Sequence, residues 1–407
     1  MLVINIGQLV TPRGSHATGG AAMGELVTLQ DAYVKIAEDV IVSVGSMSEF
    51  TRPVRERTLD ARGGVVIPGL VDPHTHAAFV GSREEEFLAR CQGVPYGQGI
   101  LTTVEQIRAA SEEQIYHESK RYLWEMLRMG TTTAEVKSGY GLDTPSELKL
   151  LRVIDRLRRE LPMEIVPTFL GAHAIPDGVS KADYLEEIIK RMIPQVQSEG
   201  LAEFCDVFCE KGFFDPAESR EILGAAQGAG LGLKIHADEL HKSGGSELAA
   251  ELGAVSADHL LHVSPQGMNK LLEADVVPVL LPGTAFTLNL KYAPARQMID
   301  LGLPVALSTD FNPGTCLIHS MLLIIALAVM KMRMTIEEAL TAATLNAAAA
   351  LARAEQLGSL EPGKRADLVV LDLDNYRQIP YFIGHDRVTA VVAAGQVVYE
   401  KQAETSS

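Results

Sequence analysis

Eight apolar runs, each followed by a helix-patterned segment, fill the middle of this chain and limit its fold more than any other feature. The runs are Val65–His76, Thr131–Lys137, Ile165–His173, Phe204–Glu210, Gly232–Ala237, Ser256–Leu261, Val276–Leu281 and Pro304–Asp310. Between them, Glu105–Met129, Ser146–Glu160 and Tyr184–Gln197 carry apolar residues at helical spacing. Eight strand–helix units in this length predict an α/β fold, a (β/α)8 TIM-like barrel. An open, doubly wound sheet would satisfy the count equally well. The ends of the runs favour the barrel. They carry His74 and His76, then Tyr140, His173, Glu210, His236 with Glu239, His259, and Asp310 with Asn312. A barrel collects its strand C-termini on one rim, where such groups converge, whereas an open sheet spreads them along an edge.

Both flanks read differently. Leu26–Leu29, Ala32–Ile36 and Val40–Val44 are short Val/Ile-rich runs. Ala366–Leu371 and Val388–Val398 are similar, with Ala394 and Gly395 as a turn. We expect residues 1–66 and 357–407 to form one small β-sandwich domain from both termini, beside a catalytic barrel over 67–356. Thr11–Gly24, rich in Gly, Ala and Thr, reads as a mobile loop. The longest apolar run, Met321–Met330, is far too short to span a membrane and reads as a buried helix. With a net charge of −16, the chain lacks the basic clusters that grip a phosphate backbone. No nucleic-acid or membrane partner is therefore expected. Cys91, Cys205, Cys209 and Cys316 are too few and too scattered for a disulfide framework, and the segment Met1–Asn5 does not begin like a signal peptide. Both features point to the cytoplasm.

The chemistry is concentrated at the strand ends. His74 and His76 are two apart on a strand, so both imidazoles face the same side. His236 closes the fifth strand and Asp310 the eighth. Three neutral imidazoles, one carboxylate and a water make a catalytic coordination sphere with an open position. A nitrogen and oxygen donor set without thiolate suits Zn or Fe, so one divalent or trivalent metal ion per chain is expected. Such an ion lowers the pKa of a bound water and polarises a carbonyl, which is hydrolytic chemistry. His259 and Glu239 lie near enough in the pattern to accept or relay a proton, and either could act first. The alternative for His259 is a partner that orients a ligand. Lys137 ends the second strand run, and a single metal is favoured over a pair of metals bridged by this lysine. Cys205 and Cys209 lack zinc-site spacing and read as core.

The segment Ile67–His76, together with Gly363–Val369, resembles the amidohydrolase superfamily, which pairs a metal-bearing barrel with a small β-sandwich built from both termini. More specific stretches are Gly81–Phe87, Glu135–Leu142, Phe169–His173, Asp206–Glu210, Leu281–Phe286, Tyr292–Arg296 and Thr309–Gly314. These are similar to the branch that opens the imidazolone ring in histidine breakdown. The resemblance implies hydrolysis of 4-imidazolone-5-propanoate to N-formimidoyl-L-glutamate, a small anionic substrate and a homodimer. It implies His74, His76, His236 and Asp310 as metal ligands. It also implies substrate contacts from Arg83, Tyr140, His173, Glu239, Asn312, Gly314 and Thr315. The residue types agree. An arginine fork suits the propionate, with an ion pair to Glu84–Glu86 as its alternative. Tyr140 and His173 can hydrogen-bond or hold a ring, and Gly314 lets the backbone approach a ligand. The chain departs from the family pattern at Gln92–Ile100, Thr287–Leu290 and Thr315–Cys316. Two rival readings share the fold: a purine- or pyrimidine-type aminohydrolase, whose uncharged substrate would leave Arg83 idle, and a scaffold without catalysis.

Overall fold

The computed structural model describes residues 1–50, 57–94 and 99–401. The first five strands are β1 (Leu2–Thr11), β2 (Val27–Ala37), β3 (Val40–Ser46), β4 (Thr58–Asp60) and β5 (Val65–Pro68). Eight more follow: β6 (Leu70–Asp72), β7 (Thr131–Lys137), β8 (Glu164–Ala172), β9 (Phe204–Cys209), β10 (Gly232–Ala237), β11 (Ser256–His259), β12 (Val277–Leu280) and β13 (Ala306–Leu307). The chain ends in β14 (Leu368–Leu371), β15 (Val388–Ala393) and β16 (Gln396–Glu400).

Strands β6 to β13 pair in sequence order, all parallel. Beyond their ends, Thr75 and Phe311 form a parallel bridge, with His76 N donating to Phe311 O and Asp310 N to His74 O. That bridge brings the first strand against the last and gives the barrel predicted from the eight runs. The strands are buried almost throughout, as expected for a parallel sheet covered by helices. The other strands form a second sheet in the order β16-β15-β14-β5-β1-β2-β3, with β4 beside β1. Both termini therefore build it. Its hairpin between β15 and β16 turns on Ala394 and Gly395, both at positive φ, the geometry of a tight two-residue hairpin.

Several elements differ from the sequence expectation for identifiable reasons. The first apolar run is two strands. Val65–Pro68 belongs to the terminal sheet, paired with β1 and β14, and only Leu70–Asp72 enters the barrel. The chain crosses at Gly69, where a Cβ would lie 2.2 Å from Thr132 Oγ1 and 2.8 Å from Asp367 Cβ. Glu105–Met129 is two helices, Ile100–Ala109 and Glu112–Arg128, because Ser111 caps the second through a reciprocal pair with Gln114. The periodic segment around Tyr184 contains a wide π turn, Ile188–Met192, ahead of Pro194, which has no N–H for the helical ladder. Thr11–Gly24 is docked on the barrel rather than mobile. Met23 is fully buried, and Thr18 exchanges two hydrogen bonds with the Asn346 amide. Met321–Met332 is a largely buried helix, and among the described residues no helix is long and apolar enough to cross a membrane. Within the atypical Gln92–Ile100 stretch, residues 95–98 lie outside the described residues.

Substituting Gly69→Ala should destabilise the protein by about 1–3 kcal/mol, the usual cost of forcing extra volume into a packed site. A lowered melting temperature and urea midpoint would show this; an unchanged midpoint would mean the crossing has room to spare.

Candidate metal centre

Three imidazoles and a carboxylate meet where β6, β10 and β13 end. His74 Nε2 lies 3.7 Å and His76 Nε2 3.6 Å from one oxygen of Asp310. The His236 ring stands 4.4 Å from that of His74 and 5.5 Å from that of His76. Ligand atoms about 2.0–2.2 Å from a tetrahedral metal stand roughly 3.3 Å apart, so the His74, His76 and Asp310 spacing fits one ion. The donor atoms are prepared for one as well. His74 Nε2 and His236 Nε2 are buried with no hydrogen-bond partner among the described residues, an expensive state unless something electropositive faces them. Asp310 stands at φ 54°, a left-handed conformation that turns its carboxylate off the strand line, and Thr284 Oγ1 donates to its other oxygen at 2.5 Å.

Two aspartates behind the histidines set the ring orientation. Asp258 Oδ2 lies 2.6 Å from His74 Nδ1, and Asp206 Oδ2 lies 2.8 Å from His236 Nδ1. Each carboxylate draws the Nδ1 proton to its side and leaves Nε2 as the lone-pair nitrogen facing the centre. The aspartates are in turn balanced by two fully buried lysines. Lys137 Nζ is 2.8 Å from Asp206 and 2.7 Å from Glu135, and Lys234 Nζ is 3.1 Å from Glu135 and bonded to Pro73 O. Burial opposes the charge on Lys137, yet Asp206, Glu135 and Asp258 together push its pKa up on balance. It is therefore an ammonium locked in an ion-pair network. Asp72 lies in the same barrel floor, held by the hydroxyls of Ser308 and Thr309.

The other expected site residues divide into two groups. His173, His259, Tyr140 and Glu239 surround the centre. The His173 ring stacks on His76 at 4.9 Å, with Nδ1 3.0 Å from Gly139 O, and Tyr140 stands 5.8 Å from His76. His259, at φ 76°, has its ring 5.1 Å from His236, and its Nε2 lies 3.6 Å from Glu239 Oε2. Burial, with neighbouring charges, holds His259 well below the usual histidine range. Burial, then Asp310 and Glu210, pushes Glu239 well above the usual carboxylate range.

The second group, Asn312, Gly314, Thr315 and Arg83, is tied together at the rim. Asn312 spends its whole amide on its own loop. Nδ2 donates to Asp310 O and Thr315 Oγ1, and Oδ1 accepts from the Gly314 and Thr315 amides. Gly314 makes room for Arg83, since a Cβ there would lie 2.3 Å from its guanidinium. Arg83 is buried at this rim, and its fork closes on Glu86 at 2.8 and 2.9 Å. The ion pair with Glu86, the alternative read for Arg83, is formed, and the guanidinium lies beside Gly314. Two departures from the family pattern meet at one wall, where the Thr287 hydroxyl donates to Thr315 O.

Sequence reading assigned no role to Asp206, Asp258, Glu135 or Lys234. A signal for them exists. Glu135 and Lys137, Lys234 and His236, and Ser256 and Asp258 are each two apart on a buried strand, so the members of each pair share one face.

Comparison with known proteins identifies the family. The amidohydrolase family model matches residues 65–398. The imidazolonepropionase of Alkaliphilus metalliredigens is 47% identical over 414 residues, covering 98% of each chain. That of Geobacillus thermodenitrificans is 48% identical over 406 residues, covering 96% of each. Among solved structures, a guanine deaminase from C. acetobutylicum has a TM-score of 0.72 at 18% identity, covering 98% of this chain and 99% of its own. An adenosine deaminase from Xanthomonas campestris with bound Zn has a TM-score of 0.73 at 20% identity, covering 97% and 92%. These two share the fold. The whole-length relatives narrow it further: the chain belongs to the amidohydrolase family, in its imidazolonepropionase branch.

Proposed function

We propose that the chain hydrolyses the ring C–N bond of 4-imidazolone-5-propanoate to N-formimidoyl-L-glutamate, in histidine degradation, using one metal ion held by His74, His76, His236 and Asp310. The observation that carries this reading is the convergence of those four side chains in a chain alike over its whole length to imidazolonepropionases. The donor set suits Zn or Fe, and the Zn in the related deaminase fold favours Zn. When bound, the ion supplies an activated water and a polarised carbonyl.

In the net reaction one water adds across the cyclic amide. Its oxygen joins the ring carbonyl carbon, the C–N bond breaks, and the nitrogen leaves with a proton. His259, kept neutral by burial, accepts the water proton. Glu239, whose pKa burial raises above the usual carboxylate range, gives a proton to the leaving nitrogen. Their 3.6 Å separation lets the pair reset by a small side-chain movement. His173 and Tyr140 flank the ring and exclude bulk water. Arg83 takes the propionate with the fork that Glu86 occupies in the free protein. The Gly314 and Thr315 segment lines that end of the pocket, with Asn312 shaping it. The same reading carries a homodimer in the cytoplasm, checked by sedimentation velocity. It divides the chain at Gly69 and near residue 357.

An aminohydrolase acting on an uncharged ring would give Arg83 nothing to bind, and a scaffold would not keep this donor set. Turnover of imidazolone propionate, guanine and cytosine, measured on one metal-quantified sample, separates the three readings. Only the first compound should be consumed.

His74→Ala should abolish turnover and leave bound metal far below one ion per chain by elemental analysis. Full activity in that variant would refute the ligand assignment. Arg83→Ala should raise KM by roughly 10- to 100-fold, since charge-assisted hydrogen bonds are worth about 1.5–3 kcal/mol. An unchanged KM would mean the propionate is held elsewhere.

A further inference from the structure

Glu210 closes β9 with a fully buried side chain, yet it does not reach the centre. Its two oxygens collect five donors. Oε1 accepts from Lys211 N at 2.8 Å and Ser243 Oγ at 2.5 Å, and lies 3.2 Å from His241 Nδ1. Oε2 accepts from Leu240 N at 2.8 Å and His241 N at 3.2 Å. Apart from Lys211, all of these belong to the loop that follows β10. The Leu240 amide is the other half of the peptide plane that contains the Glu239 carbonyl. Holding it fixes the backbone rotation that aims the Glu239 side chain.

The opposite end of the loop is held independently. Asp238, at φ 50°, accepts from the Ser243, Gly244 and Ser246 amides. Between the two carboxylates, Glu239 makes no side-chain hydrogen bond among the described residues, and its Oε2 approaches His259 Nε2 at 3.6 Å. Its position is therefore set through the backbone. A neutral acceptor would serve poorly at residue 210. A glutamine can turn only one oxygen toward these donors, and its own N–H groups would face the rest.

We infer that Glu210 is a positioning residue for Glu239, acting through the Leu240 and His241 amides; this rests on the reading of Glu239 as a proton-moving group. Displacing a reacting group by about 1 Å costs on the order of 100-fold in rate, and loss of a supporting partner typically costs about 10- to 100-fold.

The test is a double-mutant cycle with metal content and melting temperature recorded for every protein. Glu210→Gln should lower kcat about 10- to 100-fold, change KM less than about threefold and leave the metal content of the purified enzyme intact. In a Glu239→Gln background, the same substitution should cost nothing further, because the group it positions is already disabled. Unchanged kcat in Glu210→Gln would overturn the inference. An equal loss in both backgrounds would also overturn it, marking Glu210 as a general support of the rim. Glu239→Gln at wild-type activity would instead refute the reading of Glu239 and remove the basis of the inference with it. If Glu210→Gln does not fold, Ser243→Ala removes one donor at the outer edge of the loop. It should show the same dependence on Glu239 at smaller amplitude, and its absence there would overturn the inference.

Discussion

A cluster of charges inside the barrel governs everything built above it. Glu135, Asp206 and Asp258 lie fully buried beneath the histidines, and among the described residues Lys137 and Lys234 are the lysines that balance them. Removing one partner from such a buried pair costs about 3–5 kcal/mol, so the five side chains stand or fall together. Most barrels fill this layer with branched hydrocarbon. Here the layer is ionic, and its upper surface consists of two carboxylates aimed at His236 and His74. The ring orientations are consequently settled by the fold rather than by the arrival of a ligand. That is the preorganisation a hydrolytic centre needs, since rings free to rotate would have to be ordered in each cycle.

The rim repeats one device at three places. Glu147 accepts from the Gly139, Gly141 and Leu142 amides and so fixes the loop that carries Tyr140. Glu210 holds the loop that carries Glu239, and Asn312 holds the turn through Gly314 and Thr315. Each is a buried acceptor that gathers several backbone N–H groups at once. Loop peptide groups at a concave site cannot all reach water, and an unpaired buried amide is costly. One well-placed acceptor satisfies several of them and leaves the reactive side chains free of structural duty. The division of labour explains why residues one or two positions apart, Asp238 and Glu239 or Asp310 and Asn312, have different tasks.

The parts of the site that could be read from sequence were those at strand ends. His74, His76, His236 and Asp310 were legible because strand periodicity fixes which way they face and the barrel fixes where the ends go. The parts that could not be read were relations across strands. The pairing of Asp258 with His74 spans 184 residues, and that of Lys234 with Glu135 spans 99. Sequence alternation puts these groups on the inward face without saying which neighbours meet. Likewise, the hydrogen bonds that Glu210 and Asn312 make to backbone amides of neighbouring loops are visible only in the fold. The first apolar run divides between two sheets that are both hydrophobic there, and the strand pairings on either side of Gly69 separate them.

The sequence alone determined the number of strand–helix units, the shared face of His74 and His76, the family, and the acid–base residue types at the rim. These are local or repeating properties, fixed by periodicity and by side-chain chemistry. The tertiary structure decided which nitrogen of each histidine faces the centre, which rim carboxylates gather backbone amides, and that Arg83 meets Glu86 beside Gly314. Those outcomes depend on distances between residues far apart in the chain, and such distances exist only once the barrel has closed.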